Sequence, residues 1–178
     1  LGGGLGIPYI KEEPPAPAAY AAMVAETVGD LDVELTVEPG RLLVGNAGIL
    51  VTRAIRTKQT ETKRFVIVDA AMNDFLRPTL YDAIHRVTPE RLPAPDAPLS
   101  PAEIVGPVCE TGDVLASGAA LADIADGDIL VIESAGAYGA VMGSTYNTRP
   151  LTAEIMVNGA EYCVIRPRQD VDALISLD

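Results

Sequence analysis

The chain has 178 residues, of which 48% are apolar, and a net charge of −12. That apolar share is enough for a packed core and excludes a disordered chain, and the length suits one domain or a piece of one joined to a second. The acidic balance excludes nucleic acid or an anionic membrane as the main partner, and no apolar run reaches the roughly eighteen residues that a membrane-spanning helix needs.

The chain opens on Leu1-Gly2-Gly3-Gly4-Leu5-Gly6-Ile7-Pro8-Tyr9. Glycines without a Cβ let backbone amides approach an anion closely, so the run reads either as a phosphate loop or as a flexible turn. Such a loop normally follows a strand, and nothing here reads as a signal peptide; the expectation is a piece of a longer protein. Pro14, Pro15 and Pro17 lead into a helix predicted over residues 18–28, where Tyr20, Met23, Val24 and Val28 recur at helical spacing. Gly29-Asp30 stops it. Val33, Leu35 and Val37 alternate as a strand does, and the tetrapeptide Glu38-Pro39-Gly40-Arg41 follows at once. A Pro-Gly corner between a carboxylate and a guanidinium would present both charges at a strand end, where parallel α/β folds keep their ligands. Leu43, Ala47, Leu50 and Ala54 then predict a helix over residues 42–54. Helix, strand and helix in this order make a βα repeat.

Near residue 55 the period changes from 3.6 to two. Strands are predicted over residues 64–70, 129–134, 152–157 and 161–165, with Asn158-Gly159 as a hairpin signal between the last two and Asp126-Gly127-Asp128 as a turn. The proline-rich stretch 89–107 reads as an extended connector. The expected fold is therefore α/β plus β: an α/β portion over residues 1–54 and a mainly antiparallel β-domain over residues 55–178.

The β portion carries the chemistry-bearing clusters. Arg77 and Tyr81 are four residues apart and share a face if a helical turn forms there. Cys109 and Glu110 put a thiol beside a carboxylate in a glycine-containing turn. Tyr138 stands among glycines in Gly136-Ala137-Tyr138-Gly139. Cys163, in an alternating strand, is expected to be a small core residue, and His85, the single histidine, to be solvated. The two cysteines could pair, but a reducing compartment fits this chain better. No triad partner and no metal-ligand spacing are evident, which excludes most hydrolase and metalloenzyme chemistry.

The motifs GGGLGIPY, EPGR, DAAMNDFLRPTLYDA, GPVCETGD and GAYG followed by YN.RP, in this order, resemble the C-terminal part of the diaminopimelate decarboxylases. These are pyridoxal-phosphate enzymes of the alanine-racemase-like fold. The resemblance implies that residues 1–54 are the last part of a (β/α)8 barrel and that residues 55–178 form the β-domain after it. It also implies a homodimer with shared active sites, which the cysteines and the acidic charge read above place in the cytoplasm with no membrane or nucleic-acid partner. It implies pyridoxal 5'-phosphate as cofactor, held by Gly2, Gly3, Gly4, Gly40, Arg41 and Tyr138, with Glu38 facing the pyridine nitrogen; racemases of this fold put a cation there instead. Cys109 would return the proton to the α-carbon. Arg41, Arg77, Tyr81, Glu110 and Tyr138 would bind meso-diaminopimelate, whose far end carries both a carboxylate and an ammonium. In decarboxylases of that fold acting on basic amino acids, the region matching residues 75–77 lacks the arginine. The lysine that anchors the cofactor lies in earlier barrel strands, so the 178-residue chain is expected to be inactive alone.

Overall fold

The computed structural model describes residues 1–176. Helix α1 (Pro17–Val28) starts on a proline, whose missing N–H is no loss in the first turn, and closes where Gly29 N–H donates to Ala25 O. It buries none of its residues.

The expected strand at residues 33–37 does not form. A strand needs a continuous ladder, and this run has two links to the opening residues: the Leu1 ammonium donates to Thr36 O at 2.8 Å, and Glu38 N–H to Gly2 O at 2.7 Å. Val33, Leu35 and Val37 stay exposed.

The expected helix over residues 42–54 is also shorter. Helix α2 (Gly40–Val44) runs into a 3-10 turn (Gly45–Ala47), and strand β1 (Leu50–Gln59) begins three residues later. Leu50 and Ala54 satisfy a helical period, but with Thr52 they also satisfy a period of two, and it is Thr52 and Ala54 that the sheet buries. Gly45 and Gly48 weaken the helix just where the strand takes over. Strand β1 therefore runs through residues 54 and 55.

Seven further strands follow: β2 (Arg64–Val68), β3 (Val87–Pro89), β4 (Ser100–Val105), β5 (Val114–Leu121), β6 (Ile129–Ile132), β7 (Glu154–Asn158) and β8 (Glu161–Arg166). The first six of the eight form one mixed sheet in the order β3-β6-β1-β2-β4-β5. All its pairs are antiparallel except β2 with β4. The edge strands β3 and β5 touch, so the sheet curls almost into a barrel. Its inner face carries Val66, Val68, Ala102, Ile104, Leu115, Leu121, Leu130 and Ile132, with Phe75 closing one end. Strand β4 lies within the stretch whose flanking prolines predict a connector. Pro101 sits at the second strand position, where it is tolerated.

The hairpin β7–β8 forms as expected, with its turn one residue later. Asn158 pairs with Glu161 in the ladder, so the loop is Gly159-Ala160, with Gly159 at φ +63. Cys163 is exposed rather than in the core, because the hairpin stands clear of the main sheet. Cys109 is exposed too, and both thiols are free. Two short helices complete the described chain: α3 (Arg77–Tyr81) and α4 (Val171–Ile175), the latter capped by the Asp170 carboxylate. Among the described residues no helix is long and apolar enough to cross a membrane.

Candidate active site

Backbone contacts between glycines bring the motif loops together. Gly3 lies so close under the Glu38 carbonyl that a Cβ there would overlap it, which seats the glycine run on the Glu38-Pro39-Gly40 corner. Gly2 and Gly4 have φ +72 and +96, a backbone that favours glycine. The Glu38 side chain is exposed and has no ion-pair partner among the described residues. Arg41 lies half-buried in α2. The end of α2 then meets the Gly136 loop backbone to backbone. Ala135 N–H donates to Gly48 O at 2.8 Å and Gly136 N–H to Gly45 O at 3.0 Å, and neither Gly48 nor Gly136 has space for a Cβ.

The segment from Ile7 to Lys11 fastens this end of the chain to the sheet. Ile7 is buried against Gly45, Asn46 Nδ2 donates to Pro8 O and to Ser134 Oγ, and Arg86 donates to Ile10 O. The Glu12 carboxylate accepts from the N–H groups of Tyr9, Ile10 and Lys11 at 2.9, 2.7 and 3.1 Å. Those bonds, that of Ile10 foremost, lower its pKa from 4.5 to about 2. The loop they hold presents Tyr9.

Tyr9 meets Arg77, which begins α3 and is 8% exposed. Its Nε–H donates to His85 Nε2 at 3.3 Å and an Nη2–H donates to Tyr9 Oη at 3.2 Å. The guanidinium also lies 5.6 Å from the Tyr9 ring centre and 5.3 Å from that of Tyr138. No carboxylate among the described residues pairs with it. His85, expected in solvent, is instead 3% exposed. Its ring stands edge-on to Tyr9 and Phe75, with centroids 5.0 and 4.6 Å away. Burial, above all, pushes its pKa below the ordinary value, and the nearby Arg77 charge adds to this. The charged neighbours in sequence hid this, since Asp82 takes a left-handed φ of 51° that ends α3 and turns the chain back toward Arg77.

Tyr81 shares α3 with Arg77 but is 60% exposed, while Arg77 points inward. Thr79 ties the helix to the next cluster, its hydroxyl donating to Gly112 O at 2.6 Å. In that turn Cys109 and Glu110 are both exposed, and the Tyr146 hydroxyl donates a short hydrogen bond to the Glu110 carboxylate. That bond raises the Tyr146 pKa. Asp113 closes the turn from inside, accepting from Met72 and Val108 N–H at 2.7 Å each, and its burial raises its pKa. Tyr138 adopts a left-handed φ of 65°, which keeps its ring against Arg77.

The site residues named from sequence thus fall into three groups, with Tyr81 apart from them on the exposed face of α3. Gly2, Gly3, Gly4, Glu38, Gly40 and Arg41 lie at one corner, Arg77 with Tyr138 at the centre, and Cys109 with Glu110 on the far side of α3. The Gly48–Gly136 contact joins the first group to the second, and Thr79 joins the second to the third. Tyr9, His85 and Tyr146 complete the polar contacts and had no role from sequence. The tyrosines were visible within two of the quoted motifs, and His85 carried no such signal.

A curled mixed sheet whose loops gather an unpaired arginine, a thiol and a glycine-bordered carboxylate matches a known protein class. A family model described as pyridoxal-dependent decarboxylase, C-terminal sheet domain, matches residues 19–136. The chain belongs to this family. Among its relatives, diaminopimelate decarboxylase from Zymomonas mobilis is 49% identical over 98% of this chain and 41% of its own length. The enzyme of that name from Neisseria meningitidis is 51% identical over 97% of this chain and 42% of its own. The crystal structure of Helicobacter pylori diaminopimelate decarboxylase complexed with L-lysine superposes with a TM-score of 0.91 at 41% identity, covering 99% of this chain and 43% of that one. The chain therefore spans about two fifths of the length of these relatives.

Proposed function

We propose that this chain is the C-terminal portion of a pyridoxal-phosphate-dependent carboxy-lyase that converts meso-2,6-diaminopimelate to L-lysine and CO2 in the cytoplasm, working as a homodimer with shared sites. Residues 1–54 are read as the last part of a (β/α)8 barrel and the remainder as its sheet domain. The observation that carries this reading is Arg77, a buried guanidinium with tyrosine rings beside it and no acidic partner among the described residues. A buried cation is costly unless an anion completes it, and the far carboxylate of diaminopimelate is such an anion. A substrate whose far end carries only a cation would be repelled there, which disfavours ornithine with its ammonium and arginine with its guanidinium.

The glycine corner fits the cofactor. Gly2, Gly3 and Gly4 offer backbone N–H groups with no side chains to fend off a phosphate, and Glu38 offers a carboxylate that no cation among the described residues pairs with, for a protonated pyridine nitrogen. Pyridoxal phosphate supplies the electron sink for the bond that breaks as CO2 leaves. Gly40, Arg41 and Tyr138 border the same place. Cys109 Sγ holds the proton to be delivered to the α-carbon, and its exposure suits a donor that completes a neighbouring subunit's site. Glu110, oriented by Tyr146, would receive the far ammonium, with Arg41, Arg77 and Tyr81 serving the far carboxylate and its surroundings. Steady-state assays of the full-length enzyme with meso-diaminopimelate, ornithine and arginine test the reading. Turnover of the first alone is expected, and Arg77→Ala should lower kcat/KM by roughly a hundredfold or more, as when one partner of a buried charged pair is lost. An unchanged kcat/KM in that variant would remove Arg77 from the substrate site.

A further inference from the structure

Arg77 is held on its inner edge by a neutral group, and the hydrogen bonds around His85 define how. The Glu133 carbonyl oxygen lies 3.0 Å from His85 Nδ1 and can only accept, so Nδ1 carries the proton. Nε2 then presents a lone pair, which takes the Arg77 Nε–H at 3.3 Å. A proton on Nε2 would set two donors against each other. Burial and the nearby Arg77 cation favour the neutral form, and the Glu133 carbonyl opposes them only by accepting the Nδ1–H that the neutral ring keeps. Arg77 from α3 is the cation beside Nε2, the Tyr9 and Phe75 rings stand nearly perpendicular to the imidazole, and after β6 Glu133 offers its carbonyl while its carboxylate turns to Arg86 and Thr88.

We infer that His85 is a positioning residue for the substrate carboxylate clamp: its neutral Nδ1–H imidazole fixes Arg77 by the Nε edge without neutralising the guanidinium. A carboxylate in that place would hold Arg77 equally well, but it would cancel the charge a ligand carboxylate needs. An apolar residue would leave the charge intact and the Nε–H unsatisfied, so the fork would lose its direction. Imidazole does neither. Tyr9 Oη takes one Nη2–H, and the two Nη1 protons have no partner within the chain among the described residues. They are the edge left for an anion.

The inference rests on the reading of Arg77 as a carboxylate clamp. Its test compares two ligands that differ by that carboxylate: L-lysine, and cadaverine, which is L-lysine without it. Calorimetric titration of the full-length protein is done on wild type, His85→Phe and His85→Gln. His85→Phe keeps a ring beside Tyr9 and Phe75 but has no acceptor. It should lose roughly tenfold or more in L-lysine affinity while cadaverine affinity stays within about twofold, with KM for meso-diaminopimelate rising and kcat little changed. His85→Gln, whose amide oxygen can accept the Nε–H, should recover most of the loss. Unchanged L-lysine binding in His85→Phe, or equal weakening of both ligands, overturns the inference. Nitrogen-15 spectra of the wild-type imidazole decide the matter even if His85→Phe does not fold. The Nδ1–H tautomer, the minor one in free histidine, is expected at His85, and an Nε2–H tautomer overturns the proposal. Wild-type enzyme that fails to turn over meso-diaminopimelate yet separates L-lysine from cadaverine would count against the substrate assignment and leave the role of His85 standing.

Discussion

Two backbone N–H groups, those of Met72 and Val108, point inward behind the Cys109 turn, and both end on Asp113. Gly106 is pressed onto the same carboxylate, with no space for a Cβ between them. Water has no access to replace these bonds, because Asp113 is 3% exposed. Asp113→Ala should therefore leave two buried donors unsatisfied and cost about 2–4 kcal/mol, read from urea unfolding. The same variant should blur the position of Cys109 and Glu110, so any activity that survives should have a lower kcat. Full stability in Asp113→Ala would mean that the turn is held from elsewhere, as by the Thr79–Gly112 bond, the Tyr146–Glu110 bond or the Gly106 N–H to Asp113 O bond.

At the scale of elements, β5 shows how little a strand's sequence can advertise itself. Its residues, VLASGAAL, are mostly small and lack the β-branched run that marks a strand, yet it pairs along β4 and buries Leu115 and Leu121. The pairing shifts register between Ala102 and Ile104, so that Ser117 and Gly118 together face Glu103. Gly118 has φ +65, and open space surrounds the point where a Cβ would be. Gly118→Ala should therefore cost only the backbone strain, about 1 kcal/mol in thermal or chemical unfolding. A loss of several kcal/mol would instead point to a steric clash. Helix α2 illustrates the opposite case, because the apolar spacing of residues 43–54 fits two periods at once and predicts a longer helix than the one that forms. In the fold, the ladder to β6 decides: Leu50 to Arg53 pair with Ile132 to Ile129, and a helix there would forfeit all of it.

Over the whole molecule, apolar surface is distributed unevenly. The curled sheet buries its inner face, whereas α1 buries nothing, Val33, Leu35 and Val37 are exposed, and the hairpin shows Ile155, Met156, Val157, Tyr162, Val164 and Ile165 to solvent. Exposed patches of this extent ask for a partner surface. The 178-residue chain on its own should bind a hydrophobic dye and associate at micromolar concentration, measured by light scattering after size exclusion. A monodisperse, dye-silent chain would show that these faces find cover within it. The same unevenness explains which parts of the fold were legible in the sequence. Strands that alternate against a core, such as β2 and β6, and the glycine turn of β7–β8 carry their signal locally. The run at residues 33–37 alternates equally well but has no ladder to join. The burial of His85 and the pairing of Tyr146 with Glu110 depend on loops that meet only after the chain has turned, so no spacing rule reaches them. Of the candidate site, the residues were readable through motifs; the hydrogen bonds that aim them were not.

The meeting of Gly48 with Gly136 bears on how this protein can change over generations. Most crowded positions in a protein can be relieved by trimming a neighbouring side chain, which gives mutants an easy second-site escape. Here both walls are main chain, the Val44 carbonyl on one side and the glycine backbone itself on the other. A genetic screen that starts from Gly136→Ala should accordingly return true revertants and few or no suppressors. The two loops it joins are bound to a shared history, each free to vary only as far as the other's backbone allows.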